Sequence, residues 1–173
     1  MRRSSMVAVG VSMGIVGIGL FSGSDVVAQQ KSLKEQLVGT WKAVSVDNVR
    51  DDGSKVELFG PNPQGIVIYT ADGHFVLWNG RSDLPKFASN RRDKGTPEEN
   101  KAVVEGSIAY FGTYSVNEAD KVITARIEGS TFPNFAGTDQ KRVITSVTAD
   151  ELRFTNPAGS TGATLQLVWK RAK

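Results

Sequence analysis

Gly39-Thr40-Trp41 opens the first strand-like run of the chain, and Leu167-Val168-Trp169-Lys170-Arg171 closes the last. A closed sheet needs a plug at its narrow end. An indole on the first strand can fill that floor, and a guanidinium from the last strand can lie across the indole face. The two stretches supply both parts, so Trp41 and Arg171 read as a structural plug joining the two ends of one barrel. Gly-x-Trp alone is a common tripeptide, and its meaning depends on what lies between.

Between the two ends the chain breaks into short runs separated by turn chemistry. Asp51-Asp52-Gly53, Pro61-Asn62-Pro63, Ala71-Asp72-Gly73, Asn117 to Asp120, Ala149-Asp150 and Pro157 to Gly162 carry the residues that turns require. The intervening runs predict strands near 40–48, 54–58, 65–70, 74–80, 107–116, 121–128, 140–147, 151–155 and 163–171. Antiparallel strands joined mostly by hairpins define an all-β fold, an up-and-down antiparallel β-barrel of eight to nine strands. A two-sheet sandwich is the competing arrangement.

The chain has 173 residues, 39% of them hydrophobic, and no cysteine. That is enough to bury a core in one domain without disulfides. The 21 Lys and Arg against 18 Asp and Glu leave a net charge of only +3, with no stretch that concentrates it. A nucleic-acid surface needs a clustered basic face, so no nucleic-acid partner is expected. At the start, Arg2-Arg3 precedes an apolar run from Met6 to Phe21, then Ser22 to Asp25 and the small-residue site Val26-Val27-Ala28. This order reads as a signal peptide over residues 1–28, cleaved near Ala28, leaving a barrel domain over residues 29–173 in the periplasm or medium. The run of about 16 apolar residues falls short of the roughly 20 that span a bilayer, so no stable membrane anchor is expected.

Two helices punctuate the strands. Ser32-Leu33-Lys34-Glu35 has the form of a capping box and predicts a short helix to Val38, capping the barrel mouth before Trp41. The long polar connection from Arg81 to Glu105 contains Thr96-Pro97-Glu98-Glu99, an N-cap with proline at the first helical position, which predicts a helix over the following residues. Such an insertion is either a lid over the open mouth or a plain surface crossover.

Several segments carry a resemblance. Gly39-Thr40-Trp41, Gly60-Pro61-Asn62-Pro63-Gln64-Gly65 with Tyr69, Gly95-Thr96-Pro97-Glu98-Glu99, Tyr110-Phe111-Gly112-Thr113-Tyr114, Phe132-Pro133-Asn134 and Gly137-Thr138-Asp139-Gln140-Lys141-Arg142 together resemble the lipocalin-like domain family of bacterial and fungal proteins. The resemblance covers residues 29–173 and implies a calycin-type β-barrel, without specifying an activity. A fatty-acid-binding-protein barrel also opens on Gly-x-Trp but inserts two helices after its first strand. Here only Val49 to Ser54 separates the first two strands.

Function has to be read from the site. Alternation along the strand after the insertion puts Ile108, Tyr110, Gly112, Tyr114 and Val116 on one face, which we expect to point inward with Gly112 leaving room for a ligand. His74, Val76 and Trp78 share a face of the 74–80 strand, so Trp78 is expected to form an aromatic wall with the tyrosines. Tyr69, Phe87 in the insertion and Phe132 complete the candidate aromatic set. Arg126 and Glu128 oppose an apolar face and read as solvated. Arg142 shares a face with Gln140 and Ile144 and is the candidate inward anchor, which then has to meet a ligand carboxylate or an internal Asp or Glu.

Catalytic material is sparse. Without cysteine and with His74 as the single histidine, cysteine-histidine chemistry and histidine-rich metal sites are excluded. No glycine-rich nucleotide motif or serine elbow occurs, so no metal, cofactor or catalytic residue is assigned. Two classes of function fit. One is a barrel that binds a small hydrophobic or amphipathic molecule. The other is an isomerase or cyclase type of enzyme with Tyr110, Tyr114 or His74 as acid or base. A closed barrel with a filled interior is a third possibility.

Overall fold

A computed structural model describes residues 31–173. The leader read over residues 1–28 lies outside the described residues. Ser32 accepts the Glu35 amide while the Glu35 carboxylate accepts the Ser32 amide, and this reciprocal cap starts α1 (Leu33–Leu37). There follow β1 (Gly39–Val49), β2 (Lys55–Glu57), β3 (Gln64–Tyr69), β4 (His74–Gly80), α2 (Pro97–Gly106), β5 (Ser107–Asn117), β6 (Val122–Ser130), β7 (Asp139–Val147), β8 (Glu151–Asn156) and β9 (Thr164–Arg171). The turn residues had placed these strands to within one or two residues.

All the strands pair antiparallel in one sheet, in the order β2-β1-β3-β4-β5-β6-β7-β8-β9, and β1 pairs also with β9. β1 and β3 to β9 are therefore eight staves of a closed barrel. One edge of β1 is zipped to β9 from Trp41 to Val49; the other is divided between β3 at Gly39 to Lys42 and β2 at Asp47 to Val49. The three exposed residues of β2 form a flap on the rim and not a ninth stave.

Three register shifts bend the staves. An extra residue is accommodated at Val44 in β1, at Glu128 in β6 and at Thr145 in β7. In β1 the inward set passes from Trp41 and Ala43 to Val46 across the shift. Gly112 faces the bulge in β6, where a Cβ would collide with the Arg126 carbonyl. Its missing side chain thus makes room for the neighbouring backbone, not for a ligand, which corrects the expectation from sequence.

Chain direction sorts the connections into two ends. The start of β1 and the short β3–β4, β5–β6 and β7–β8 turns lie at one end with α1. At the other lie the β1–β2 hairpin, the 81–106 insertion and the segments 131–138 and 157–163. The first end is plugged. Trp41 is fully buried and its indole donates to Leu37 O at 2.8 Å. The Arg171 guanidinium carbon sits 4.0 Å from the Trp41 ring centroid, and its nitrogens donate to Gln36 O, Val38 O and Ala149 O. Gly39 has φ +125°, and a Cβ there would lie 2.8 Å from an Arg171 nitrogen. The Gly-x-Trp glycine is thus required twice, by its backbone angle and by the arginine that crosses it. The sequence had set α1 at the mouth; it covers the plugged end instead, because the backbone carbonyls it offers are the ones Trp41 and Arg171 need.

Candidate functional site

The interior is threaded by aromatic rings. Tyr114 meets Tyr69 edge-on at 4.9 Å, Tyr69 stacks on Phe75 at 6.2 Å, and Phe75, Tyr110, Phe135 and Phe132 follow at 5.1 to 6.0 Å. This column runs from the plugged end to the rim and fills most of the lumen. At the plugged end the Tyr114 hydroxyl donates to Thr70 O at 2.8 Å, and Lys34 lies over its ring. Burial raises the Tyr69 hydroxyl far above the ordinary phenol range, with the positive charge of Arg142 opposing the shift. Burial raises Tyr114 as well, with the Asp72 carboxylate adding to it. Both phenols therefore keep their protons.

Above the column the open end forms a cup of ≈ 420 Å³. Leu58 and Phe59 enter from the β2–β3 connection, Val103 and the acidic Glu105 from the last turns of α2, Ile108 from β5 and Phe132 from the segment after β6. The insertion thus reaches the mouth through α2. That helix starts at Thr96, which accepts the Glu99 amide while Glu99 accepts both the Thr96 and Ala88 amides. These bonds hold the Glu99 carboxyl below the ordinary range and tie the loop around Ala88 to the helix.

Beneath the cup lies a smaller hollow of ≈ 20 Å³, bordered by Tyr110, Arg142, Asn79 and Asn156. Leu58, Phe59, Ile108 and Ser160 line both spaces and form the partition between them. Arg142 is only 3% exposed. Its guanidinium donates to the Tyr110 hydroxyl at 3.1 Å and to its neighbour Lys141 O at 2.9 Å. No described carboxylate lies within ion-pair distance of it. Asn79 Oδ1 and Gln140 Oε1 are buried nearby on the inward face without a hydrogen-bond donor.

The structure brings together some of the predicted residues and separates others. Tyr69, Tyr110, Tyr114 and Arg142 point inward as their alternation required, and Phe132 borders the cup. Only Tyr110 and Arg142 of the four reach a hollow; Tyr69 and Tyr114 are packed below it. Trp78 does not join the tyrosines. In β4 the inward set is Phe75, Leu77 and Asn79, so Trp78 lies outside, against Gly80 and beside Ile66. Phe87 packs on Gly95 within the insertion and does not reach the cup. His74 stands at the other end on the outer face, 60% exposed and 3.2 Å from Asp72. Arg126 and Glu128 face outward, and Arg126 pairs with Asp139 at 3.3 Å.

Sequence reasoning missed Asn79, Asn156, Phe59, Leu58 and Phe135. Asn79 carried a signal, since it alternates with Phe75 and Leu77. Phe59 and Leu58 had none, because they sit in a connection whose path the pattern does not specify. A larger groove of ≈ 850 Å³ between Asn48–Asp52 and Thr161–Thr164 runs along mostly exposed residues and shares Thr161 with the rim of the cup.

A closed eight-strand antiparallel barrel, plugged at one end by tryptophan and arginine and open at the other into an apolar cup, defines the class of protein. The lipocalin-like domain model matches residues 38–172, so the chain belongs to the lipocalin-like domain family. Among solved structures it is similar to a lipocalin-like protein from Bacteroides uniformis ATCC 8492, at 12% identity and TM-score 0.45, over 79% of this chain and 99% of that one. No curated protein matches the chain.

Proposed function

We propose that the barrel binds one small apolar or amphipathic molecule through its open end. The observation that carries this reading is the cup itself, ≈ 420 Å³ of hollow walled by Leu58, Phe59, Val103, Ile108 and Phe132 above a floor of buried polar groups. A concave, mostly apolar space with a few convergent polar groups is the usual form of a small-molecule site. The lumen below is filled with aromatic rings, so the ligand sits in the upper part of the barrel. The enzyme reading gains little. Of its candidates His74 is outside and Tyr114 is bonded to Thr70 O below the cup; Tyr110 alone reaches the hollow, where its hydroxyl accepts from Arg142.

Export accompanies this reading. Arg2-Arg3, the apolar run to Phe21 and Ala28 support secretion into the periplasm or medium, and an N-terminus at Gln29 in protein recovered from the host would establish it.

The binding reading is tested with N-phenyl-1-naphthylamine, a neutral apolar probe whose fluorescence rises on leaving water. One-to-one saturable enhancement, weakened about tenfold or more by Val103→Asp, is the expected result, because a charge on the wall must be desolvated by the ligand. No enhancement, or enhancement indifferent to Val103→Asp, would overturn the reading.

A further inference from the structure

Arg142 is the one buried charged residue among those described, and its surroundings are incomplete. A guanidinium has five N–H donors and keeps its charge in proteins. Here two hydrogen bonds are made, both to neutral oxygens. A buried charge is tolerated when it is paired, and inside this barrel no acid is placed to pair it. Tyr110, 7% exposed, accepts from Arg142 and thereby keeps its own O–H free to donate. Both donors border the small hollow, and Leu58, Phe59, Ile108 and Ser160 line both that hollow and the cup.

We propose that Arg142 and Tyr110 receive the carboxylate of an amphipathic ligand whose apolar tail lies in the cup. This rests on the reading of the open end as a ligand cup and adds the chemistry of the head group. A carboxylate is planar, singly charged and matched to a guanidinium fork. The hollow of ≈ 20 Å³ has room for about one water-sized group, so even a carboxylate must widen it, and a bulkier phosphate or sulfate ester would have to widen it further while meeting a single cation. The nearby Asn79 and Asn156 side chains are neutral, and of their amide groups only the N–H donors, not the unpartnered Asn79 Oδ1, can serve a carboxylate. Insertion requires Phe59 and Ile108 to shift at the partition, a side-chain adjustment of the kind common on binding.

The test compares decanoate with decanol, which share a tail and differ in the head, as competitors of N-phenyl-1-naphthylamine on the full chain at neutral pH. Decanoate is expected to bind about tenfold or more tightly than decanol, the range for hydrogen bonds to a charged group. In Arg142→Gln this ratio should fall to near one, while Arg126→Gln, which removes an exposed positive charge, should leave it unchanged. If Arg142→Gln does not fold, Tyr110→Phe replaces it and should lower the ratio severalfold. Equal binding of decanoate and decanol by the unmodified protein overturns the carboxylate assignment and leaves the cup intact. A ratio that survives Arg142→Gln, or Tyr110→Phe in its place, also overturns it, since the head then sits elsewhere. Failure of the probe and both competitors to bind removes the cup reading and the carboxylate with it.

Discussion

The two ends of the barrel use the same side chain in opposite ways. At the plugged end Arg171 donates to three backbone carbonyls and covers an indole, and Trp41 and Tyr114 each have a hydrogen-bond acceptor, although the buried Trp169 indole N–H close by has none. At the open end Arg142 is more deeply buried yet meets only a phenol and one carbonyl, with Asn79 Oδ1 and Gln140 Oε1 left without donors. Completion of polar groups stabilises a fold, and the open donors of Arg142 beside a hollow mark a place where an acceptor can complete them; the two amide oxygens need donors that a carboxylate does not supply. If the open end binds a ligand as proposed, stability and recognition are assigned to opposite ends, an arrangement in which each can change without the other.

Substitutions at the two ends should separate accordingly. Trp41→Ala removes the largest plug and should cost about 3–5 kcal/mol in urea unfolding. A loss under about 1 kcal/mol would show that the floor repacks without it. Arg171→Ala gives up the indole contact and three hydrogen bonds, for about 2–3 kcal/mol, with N-phenyl-1-naphthylamine affinity unchanged. Weaker probe binding with an unchanged melting temperature would reverse the assignment of the two ends. Arg142→Met has the opposite sign. Replacing an unpaired buried charge by an apolar chain of similar length should stabilise the ligand-free barrel by about 1–2 kcal/mol. Destabilisation there would mean that the barrel already satisfies this arginine.

The smallest effect concerns pH at the rim. The Glu99 carboxyl lies below its ordinary value of 4.5 because it accepts the Ala88 and Thr96 amides. A carboxyl whose folded value is depressed contributes its stability above the unfolded value and loses it as pH falls through the folded one. Acidification from neutral to below 4.5 should therefore loosen the Ala88 loop and the first turn of α2 before the staves. Amide exchange of residues 88, 96 and 98–100, corrected for intrinsic rates, would detect this. Uniform protection across that range would refute it.

Much of the architecture was legible because turns and caps are local. Asp72-Gly73, Asn117 to Asp120, Ser32 with Glu35 and Thr96 with Glu99 each specify their conformation within a few residues. Arg142 was legible by parity with Ile144, and Tyr110 with Ile108. β4 misled for a physical reason. Its outward set, His74, Val76 and Trp78, contains the larger aromatic, whereas its inward set ends on Asn79, and hydrophobicity alone favours the wrong face. The outer surface tolerates Trp78 because it lies half-buried over Gly80, as Phe111 lies over Gly129. The floor of the cup was not legible, since Phe59 and Phe135 come from connections, and only the closed barrel decides where connections lead.

The pairing of β1 with β9 sets an order of events in time. The first stave must wait for the last, so closure joins residues at opposite ends of the domain and makes folding slow for its size. Until β9 has been made and has paired, β1 and β8 both present unpaired edges. Trp41 meanwhile lacks the arginine that covers it. The last stave, Thr164–Arg171, is therefore a latch: the barrel stays open until that segment pairs with β1.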